Sequence, residues 1–501
     1  MYIGSIDQGT TSTRFMLFDE QGVSVASSQL EHRQRYPKPG WVEHDAVEIW
    51  EKTQTVIMNV IRESGIRPDE IAGIGITNQR ETIVAWDPAT GKPLHHAIVW
   101  QDLRGSDFID SRISNGGIDQ LRESTGLPLS PYFSGSKIRW MVDHVEGISH
   151  AVTQGKAYIG TIDSWLIWNL TGGVDGGVFV TDVTNASRYL MMDIEKFQWD
   201  QGLVEYFGAE VSCLPEIRSS FHDSYGKTTK EGPFKAEIPL CGILGDQQAA
   251  LFGQACFSRG QGKNTYGTGC FLLVNTGERL SVSRHGLLTT PAYRSGSDAP
   301  VYALEGSIAV SGSLVQWMRD SIGLVDSAPE IDRMAESVDD NGGVYFVPAF
   351  SGLFAPYWDS SARGTITGLT GYAKAGHLAR AVLEATAYQT RDIFDAMEKD
   401  SGVPIKELKV DGGMSKSDVL MKFQSDILQV PVIRPVIRET TALGAAYAAG
   451  LSVGFWNSLD DLASLWKEDT RWEPDMDEET RKEKLRMWKK AVERSRGWTD
   501  A

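Results

Sequence analysis

Three glycine-bearing turns are where this sequence is best equipped for phosphate chemistry. The stretch Asp7-Gln8-Gly9-Thr10-Thr11-Ser12-Thr13-Arg14 joins a glycine, which lets the backbone approach an anion closely, to amides and hydroxyls that donate without carrying charge. Asp7, just past an apolar strand, is placed to hold Mg²⁺ through water, and Arg14 to neutralise a phosphoryl oxygen. A plain β-turn with a surface ion pair would look the same. What tips the reading toward phosphate is an echo of the turn at Gly267-Thr268-Gly269. The third turn, Asp411-Gly412-Gly413, follows a strand predicted at 408–410 and precedes a helical stretch. It suits a nucleotide's ribose or α-phosphate, although alone it is a strand-to-helix turn.

Transfer of a phosphoryl group to an alcohol needs a carboxylate that accepts the hydroxyl proton in a site closed to water. Asp246 is the candidate, at the end of the apolar run 238–244 and the start of the helical 247–252. An N-cap aspartate reads identically, and the two roles are compatible because a cap fixes the carboxylate's direction. Arg80 and Glu81 are adjacent opposite charges in an apolar region with Trp86 and Trp100 close by. They are either a structural ion pair or a grip on the hydroxyls of a neutral polyol, with aromatic faces against its carbons. The residues themselves leave that choice open.

Several familiar signatures are missing, among them a Walker A loop, a complete G-x-G-x-x-G, an H-R-D loop and H-E-x-x-H. Gly450-Leu451-Ser452-Val453-Gly454 fits the nucleophile-elbow pattern, but an esterase triad needs a later histidine and the last one is His377. Ser452 is read instead as the end of an alanine-rich helix.

The elements that must position these groups alternate in type. Strands are predicted at 2–6, 14–18 and 23–27, then at 71–77, 82–87 and 97–100. Between them runs a helix capped by Asp45 with Glu48 three residues on. Further helices are predicted at 377–400, 440–449 and 478–494, the last a charged surface helix. Strands mixed with helices in this way indicate an α/β protein. The repeated hairpin indicates two domains of related topology, 1–251 and 252–501, each turning a Gly/Thr-rich hairpin toward a shared cleft.

Bulk properties narrow the class. The 501 residues carry 49 Lys and Arg against 66 Asp and Glu, a net charge of -17, which repels nucleic acid and anionic lipid. No segment is apolar for long enough to insert in a membrane and the first residues run straight into a strand, so a cytoplasmic location is expected. Cys213, Cys241, Cys256 and Cys270 form no Cys-x-x-Cys pair and are read as reduced core residues. His95 and His96 would point to opposite faces of a strand, which argues against a shared metal.

Taken together, these residues resemble the glycerol kinases of the wider carbohydrate kinase family, which shares the actin, hexokinase and heat-shock ATPase fold. The carriers span the chain: Asp7 to Ser12, Tyr36-Pro37-Lys38-Pro39-Gly40-Trp41-Val42-Glu43-His44, Gly75-Ile76-Thr77-Asn78-Gln79-Arg80-Glu81-Thr82, Gly245 to Leu251, Asn264 to Phe271, and Asp411 to Gly413. The resemblance implies two duplicated ribonuclease H-like domains with the catalytic cleft between them, and ATP-dependent phosphorylation of glycerol to sn-glycerol 3-phosphate. It places glycerol on Arg80, Glu81, Tyr132, Asp246 and Gln247, with Trp100 and Phe271 on its carbon side and Asp246 as base. It places the nucleotide on Thr10, Thr11, Ser12, Arg14, Thr268, Gly312, Gln316 and Gly413, with Mg²⁺ held by Asp7 through water. A homodimer or homotetramer is also implied.

The chain departs from the family at three places. Ser417 stands where asparagine is frequent beside the adenine, which alters that nucleotide contact. Asp102-Leu103-Arg104 replaces the usual Cys-Arg-Arg after Trp100. Glu231 to Glu237 has neither the regulatory arginine nor the phosphorylatable histidine of some members. This implies no inhibition by fructose 1,6-bisphosphate through that loop and no activation by phosphohistidine. The rival readings are a kinase of the same family acting on a ketopentose or another polyol, and a silent sugar-binding sensor. The Arg80-Glu81 pair and Trp100 favour glycerol, and Asp7 and Asp246, which a sensor would have lost, are both present.

Overall fold

In the computed structural model, which describes residues 1–350 and 352–499, the opening hairpin forms where alternation places it. Strands β1 (Tyr2–Gln8), β2 (Ser12–Phe18) and β3 (Ser24–Glu31) make an antiparallel meander. Strands β4 (Ile71–Asn78) and β5 (Leu240–Gly245) extend it in parallel, giving the order β5-β4-β1-β2-β3. Both faces are covered, so the middles of the inner strands are mostly apolar, with the polar residues Asp7, Gln8, Thr13 and Arg14 gathered at the hairpin end. Ile6, Phe15, Leu17, Ile74 and Ile76 pack toward helix α1 (Ala46–Ser64), while Ile3, Met16 and Phe18 join a second core on the other face. Asp45 caps α1 through the amides of Val47 and Glu48. The Glu48 carboxylate accepts from the Arg33 amide at 3.2 Å instead of turning back to the cap.

The second half repeats this plan. Strands β6 (Gly262–Tyr266), β7 (Cys270–Gly277) and β9 (Val301–Ile308) form a meander, with β8 (Leu288–Tyr293) added at its edge. Strands β10 (Leu408–Asp411) and β11 (Val432–Pro435) then continue in parallel, and β12 (Glu468–Trp472) closes the far edge. A three-strand meander followed by two parallel strands is the ribonuclease H-like topology, present here twice. A lobe inserted between β4 and β5 contains a small antiparallel sheet, with Ile83–Trp86 paired to both Ala97–Ile98 and Tyr158–Thr161.

Two helices lie where the halves meet, α2 (Asp246–Gly253) and α3 (Thr440–Ser452). Their backbones touch: a Cβ on Gly444 would stand 1.8 Å from the Ala249 carbonyl oxygen, and one on Gly253 would stand 2.0 Å from that of Thr440. Helix α3 also lies against the first sheet, where a Cβ on Gly75 would come within 2.1 Å of the Ala445 carbonyl oxygen. The alanines of α3 thus serve close packing, as their size suggests.

The terminal helix Glu478–Ser495 is not simply a surface helix as its charge suggests. Trp488, Ala491 and Val492 form a buried stripe, and Trp488 stacks on Tyr388 and donates to Asp392 at 2.7 Å. All four cysteines are free and buried. No described helix is long and apolar enough to cross a membrane.

Candidate active site

The turn between β1 and β2 is held from behind. Gln79 Nε2 donates to the carbonyl of Gly9 at 3.2 Å, Gln34 Nε2 to that of Thr10 at 2.9 Å, and the His32 amide to that of Thr11 at 3.1 Å. Gln34 and Gln79 are themselves oriented by His44, whose Nε2 lies 2.7 Å from Gln34 Oε1. Burial, with the neighbouring His32, pushes His44 down to about 3, so it is a neutral bridge. With their carbonyls occupied, the amides of Thr10 and Thr11 have no protein acceptor among the described residues. That is the arrangement an anion cradle requires. Arg14 is directly opposite Asp7 in the hairpin register and pairs with Glu439, with its Nε on Gln29 at 3.0 Å. Ser12 accepts from Gln29 Nε2 at 2.9 Å. Burial drives Asp7 up to about 6, with the charges of Asp246 and Glu439 adding to it against Arg14.

The second turn is held the same way. The Thr268 carbonyl accepts from the amides of Ser311 and Ser313, and the Gly267 carbonyl from the amide of Gly312 at 3.1 Å. A Cβ on Gly312 would stand 2.5 Å from that Gly267 oxygen, so the start of helix Gly312–Asp320 must be glycine to meet the turn. Gln316 is exposed on the same helix. The third turn abuts the second: Gly412 has φ +85°, and a Cβ there would stand 2.4 Å from the Tyr266 carbonyl oxygen. Next to it, Gly413 is open on its Cβ side. Ser417 caps helix Asp418–Leu428 through the Leu420 amide and donates to Asp332. Its hydroxyl therefore has protein partners on both sides, a physical difference from a free asparagine amide.

Asp246 is the first residue of α2 and not its N-cap, which is Gly245 with no side-chain cap bond, and it lies at the edge of a buried ionic cluster. Its Oδ1 accepts from the Gln247 amide at 2.8 Å and lies 3.0 Å from Arg80 Nε. Arg80 also grips Glu305 with both terminal nitrogens, at 2.6 and 2.8 Å. Arg188 reaches Glu81 Oε1 at 2.5 Å and Glu305 at 3.4 and 3.5 Å. Burial alone would raise the Glu305 carboxyl, but Arg188 and Arg80 outweigh it and hold the group at about 2. The Arg80-Glu81 doublet is thus not a pair with itself: each member finds its partner elsewhere. Glu81 sits at φ +61°, the left-handed region that a glutamate rarely occupies. Its turn is fastened by the Thr82 amide to the Arg80 carbonyl at 2.7 Å and by Ser134 Oγ to its own carbonyl at 3.0 Å. Strain of this kind persists only where the surroundings impose it.

An aromatic wall faces the cluster. Trp100 meets Tyr132 edge-on at 5.7 Å and Phe271 at 6.4 Å, and its Nε1 donates to Thr10 Oγ1 at 3.0 Å. Burial raises the Tyr132 phenol, and Glu81 adds to that shift. Gln247 Oε1 accepts from Lys263 Nζ at 2.5 Å. Burial lowers Lys263 to about 8, against the charges of Asp411 and Asp246. Trp86 is not part of this wall. It is fully buried among Tyr158, Trp165, Trp168 and Phe179, because its strand turns that side chain toward the core. Ser452 is likewise structural, donating to the Cys241 carbonyl at 2.6 Å.

Glu305, Arg188 and Lys263 were not singled out in the sequence. The only available signal was a charge inside an otherwise apolar run, as at Glu305 in β9. The Asp102-Leu103-Arg104 segment finds its explanation here. Arg104 pairs with Asp102 and with Glu43 at 2.9 Å and lies over Trp41, while Asp102 accepts the Val42 amide at 2.6 Å. It therefore locks residues 41–43 beside His44. Among the described residues there is no group of three or more His, Cys, Asp or Glu that would hold a metal unaided.

Comparison with known proteins accords with this geometry. The FGGY family of carbohydrate kinases matches twice, its N-terminal domain over residues 2–253 and its C-terminal domain over residues 262–453. A glycerol kinase of Renibacterium salmoninarum is 57% identical over 500 residues, covering 100% of this chain and 99% of that protein. The crystal structure of Plasmodium falciparum glycerol kinase with ADP superposes with a TM-score of 0.92 at 42% identity, over 99% of this chain and 98% of that one. A gluconate kinase from Lactobacillus acidophilus has the same fold, with a TM-score of 0.85 at 21% identity over 99% of this chain and 96% of that one.

Proposed function

Because this chain belongs to the FGGY family of carbohydrate kinases, we propose that it transfers the γ-phosphoryl group of ATP to glycerol, giving sn-glycerol 3-phosphate. The observation that carries the acceptor assignment is the setting of Asp246. One of its oxygens is fixed by Arg80 and the Gln247 amide, and Trp100, Tyr132 and Phe271 supply an aromatic wall for the carbons of the acceptor. A carboxylate with one oxygen fixed and the other free is suited to general-base work.

In the reaction Asp246 takes the proton of a terminal hydroxyl as that oxygen attacks the γ-phosphorus, and the bond to the β-phosphate oxygen breaks to release ADP. Arg80, Glu81, Tyr132 and Gln247 orient the hydroxyls; Trp100 and Phe271 cover the carbons. The amides of Thr10 and Thr11 with Ser12, and the second turn at Thr268, receive the phosphates. Arg14 exchanges Glu439 for a phosphoryl oxygen. Gly312, Gln316 and Gly413 border the nucleoside, and Ser417 acts there through Asp332.

Asp7 fits Mg²⁺. Its carboxyl is pushed up to about 6 by burial and by the nearby charges of Asp246 and Glu439, a crowding that a cation relieves. Mg²⁺ usually keeps several waters and takes only one or two protein carboxylates. When bound it supplies charge neutralisation on the β- and γ-phosphates.

The test is ADP release with MgATP over glycerol, dihydroxyacetone, xylulose, gluconate and no acceptor. The highest kcat/KM with glycerol supports the reading. Activity mainly on a pentose would keep the base but remove the acceptor assignment, and silence on all of them would favour a sugar-binding sensor.

A further inference from the structure

We propose that Glu305 is a positioning residue for the acceptor site, holding Arg80 and Arg188 so that the first-domain grip on the polyol forms only when β9 of the second half is in place. The inference rests on the kinase reading above and names a residue that the reading does not use.

Arg80, Glu81 and Arg188 all come from the first half of the chain, before or within the inserted lobe. Glu305 comes from β9, across the meeting of the two sheets. Its two oxygens take both terminal nitrogens of Arg80 at 2.6 and 2.8 Å and also lie 3.4 and 3.5 Å from those of Arg188. A bidentate carboxylate fixes the plane of a guanidinium as well as its position. With that plane fixed, Arg80 presents Nε to Asp246 at 3.0 Å, and Arg188 presents Nε to Glu81 at 2.5 Å. Gln248 completes the grip by accepting from Arg80 at 3.2 Å. Glu305 is wholly buried and touches neither the aromatic wall nor the phosphate turns through a hydrogen bond. It therefore acts on the acceptor through the two arginines.

Full-length wild type and Glu305→Gln are assayed with glycerol and MgATP, and ADP affinity is measured separately by titration. Gln preserves the shape but cannot neutralise two guanidiniums. The expected result is a rise in the KM for glycerol of roughly tenfold or more, equivalent to about 1.4 kcal/mol, with ADP affinity within about twofold. Glu305→Asp, which restores the charge at shorter reach, should recover part of the loss and stands in if the Gln variant does not fold. An unchanged KM for glycerol in a folded variant overturns the proposal. Equal losses of glycerol and ADP affinity overturn it too, because they indicate general structural damage. A wild type that phosphorylates no polyol removes the kinase reading and this inference with it, whereas an active wild type with an indifferent variant removes the inference alone.

Discussion

Arg80 holds Asp246 by one side only: Nε lies 3.0 Å from Oδ1, which also receives the Gln247 amide, and Oδ2 has no partner among the described residues. The carboxylate is anchored yet has an oxygen to spare. Asp246→Ala removes the proton acceptor without touching either phosphate turn. Turnover should fall by about 10²- to 10⁴-fold or more, while ADP titration gives an affinity close to wild type. A variant with wild-type kcat would refute the assignment.

Trp100 ties the acceptor wall to the first phosphate turn through its 3.0 Å bond to Thr10. Trp100→Phe keeps an aromatic face and deletes the N–H, so a loss of about 1 kcal/mol should appear mainly in the KM for ATP. Trp100→Ala removes the face as well and should raise the KM for glycerol too. Steady-state kinetics with each substrate varied separately will distinguish the two effects.

The turns were legible in the sequence because glycines and hydroxyls after an apolar strand carry a local signal, and the duplicated fold followed from finding that signal twice. The ionic cluster was not. Arg80 and Glu81 are neighbours in sequence, but their partners are distant: Glu305, brought to Arg80 by the meeting of the two halves, and Arg188, brought to Glu81 by the folding of the inserted lobe. Nor does sequence reveal that Glu81 sits at φ +61°, since nothing in an Arg-Glu-Thr string demands it. Trp86 and Trp100 looked equivalent, and only the pairing of Ile83–Trp86 in the small sheet sends one to the core. The terminal helix misled for a related reason: its many charges hide the short stripe that packs against helix Ala375–Ser401.

A buried aspartate away from the site gives a signed pH effect. Burial raises the Asp163 carboxyl to about 7, and its Oδ1 has no hydrogen-bond partner among the described residues. The folded state therefore binds this proton more tightly than the unfolded chain. Its contribution is fully present below the unfolded value near 4 and is lost as pH rises through about 7. Asp163→Asn should flatten that part of the profile, so the melting temperature of the variant relative to wild type should rise between pH 4 and pH 7. A constant difference across that range would show that the carboxyl does not titrate there.

The segment Glu231 to Glu237 offers no arginine and no histidine, and it is pinned by buried Phe234, which packs edge-on against Phe15 at 5.4 Å. Fructose 1,6-bisphosphate should leave the initial rate unchanged at any glycerol concentration. Inhibition that disappears on replacing Lys235 would mean that this loop binds the sugar phosphate after all.

The backbone contact between α2 and α3 predicts a different kind of sensitivity. A methyl group at Gly444 would stand 1.8 Å from the Ala249 carbonyl oxygen, and Ala249 is on the same short helix as Asp246. Gly444→Ala should cost about 1–3 kcal/mol or more by overpacking, seen as a lower melting temperature, and should lower kcat in protein that remains folded. Gly454→Ala is the control for glycine loss outside this contact: its φ of +69° brings strain, but a Cβ there meets nothing within 4 Å. It should therefore lower stability with kcat preserved. If Gly444→Ala lost stability but kept full kcat, the coupling between the helix contact and the base would be disproved, because α2 would have absorbed the displacement without passing it to Asp246.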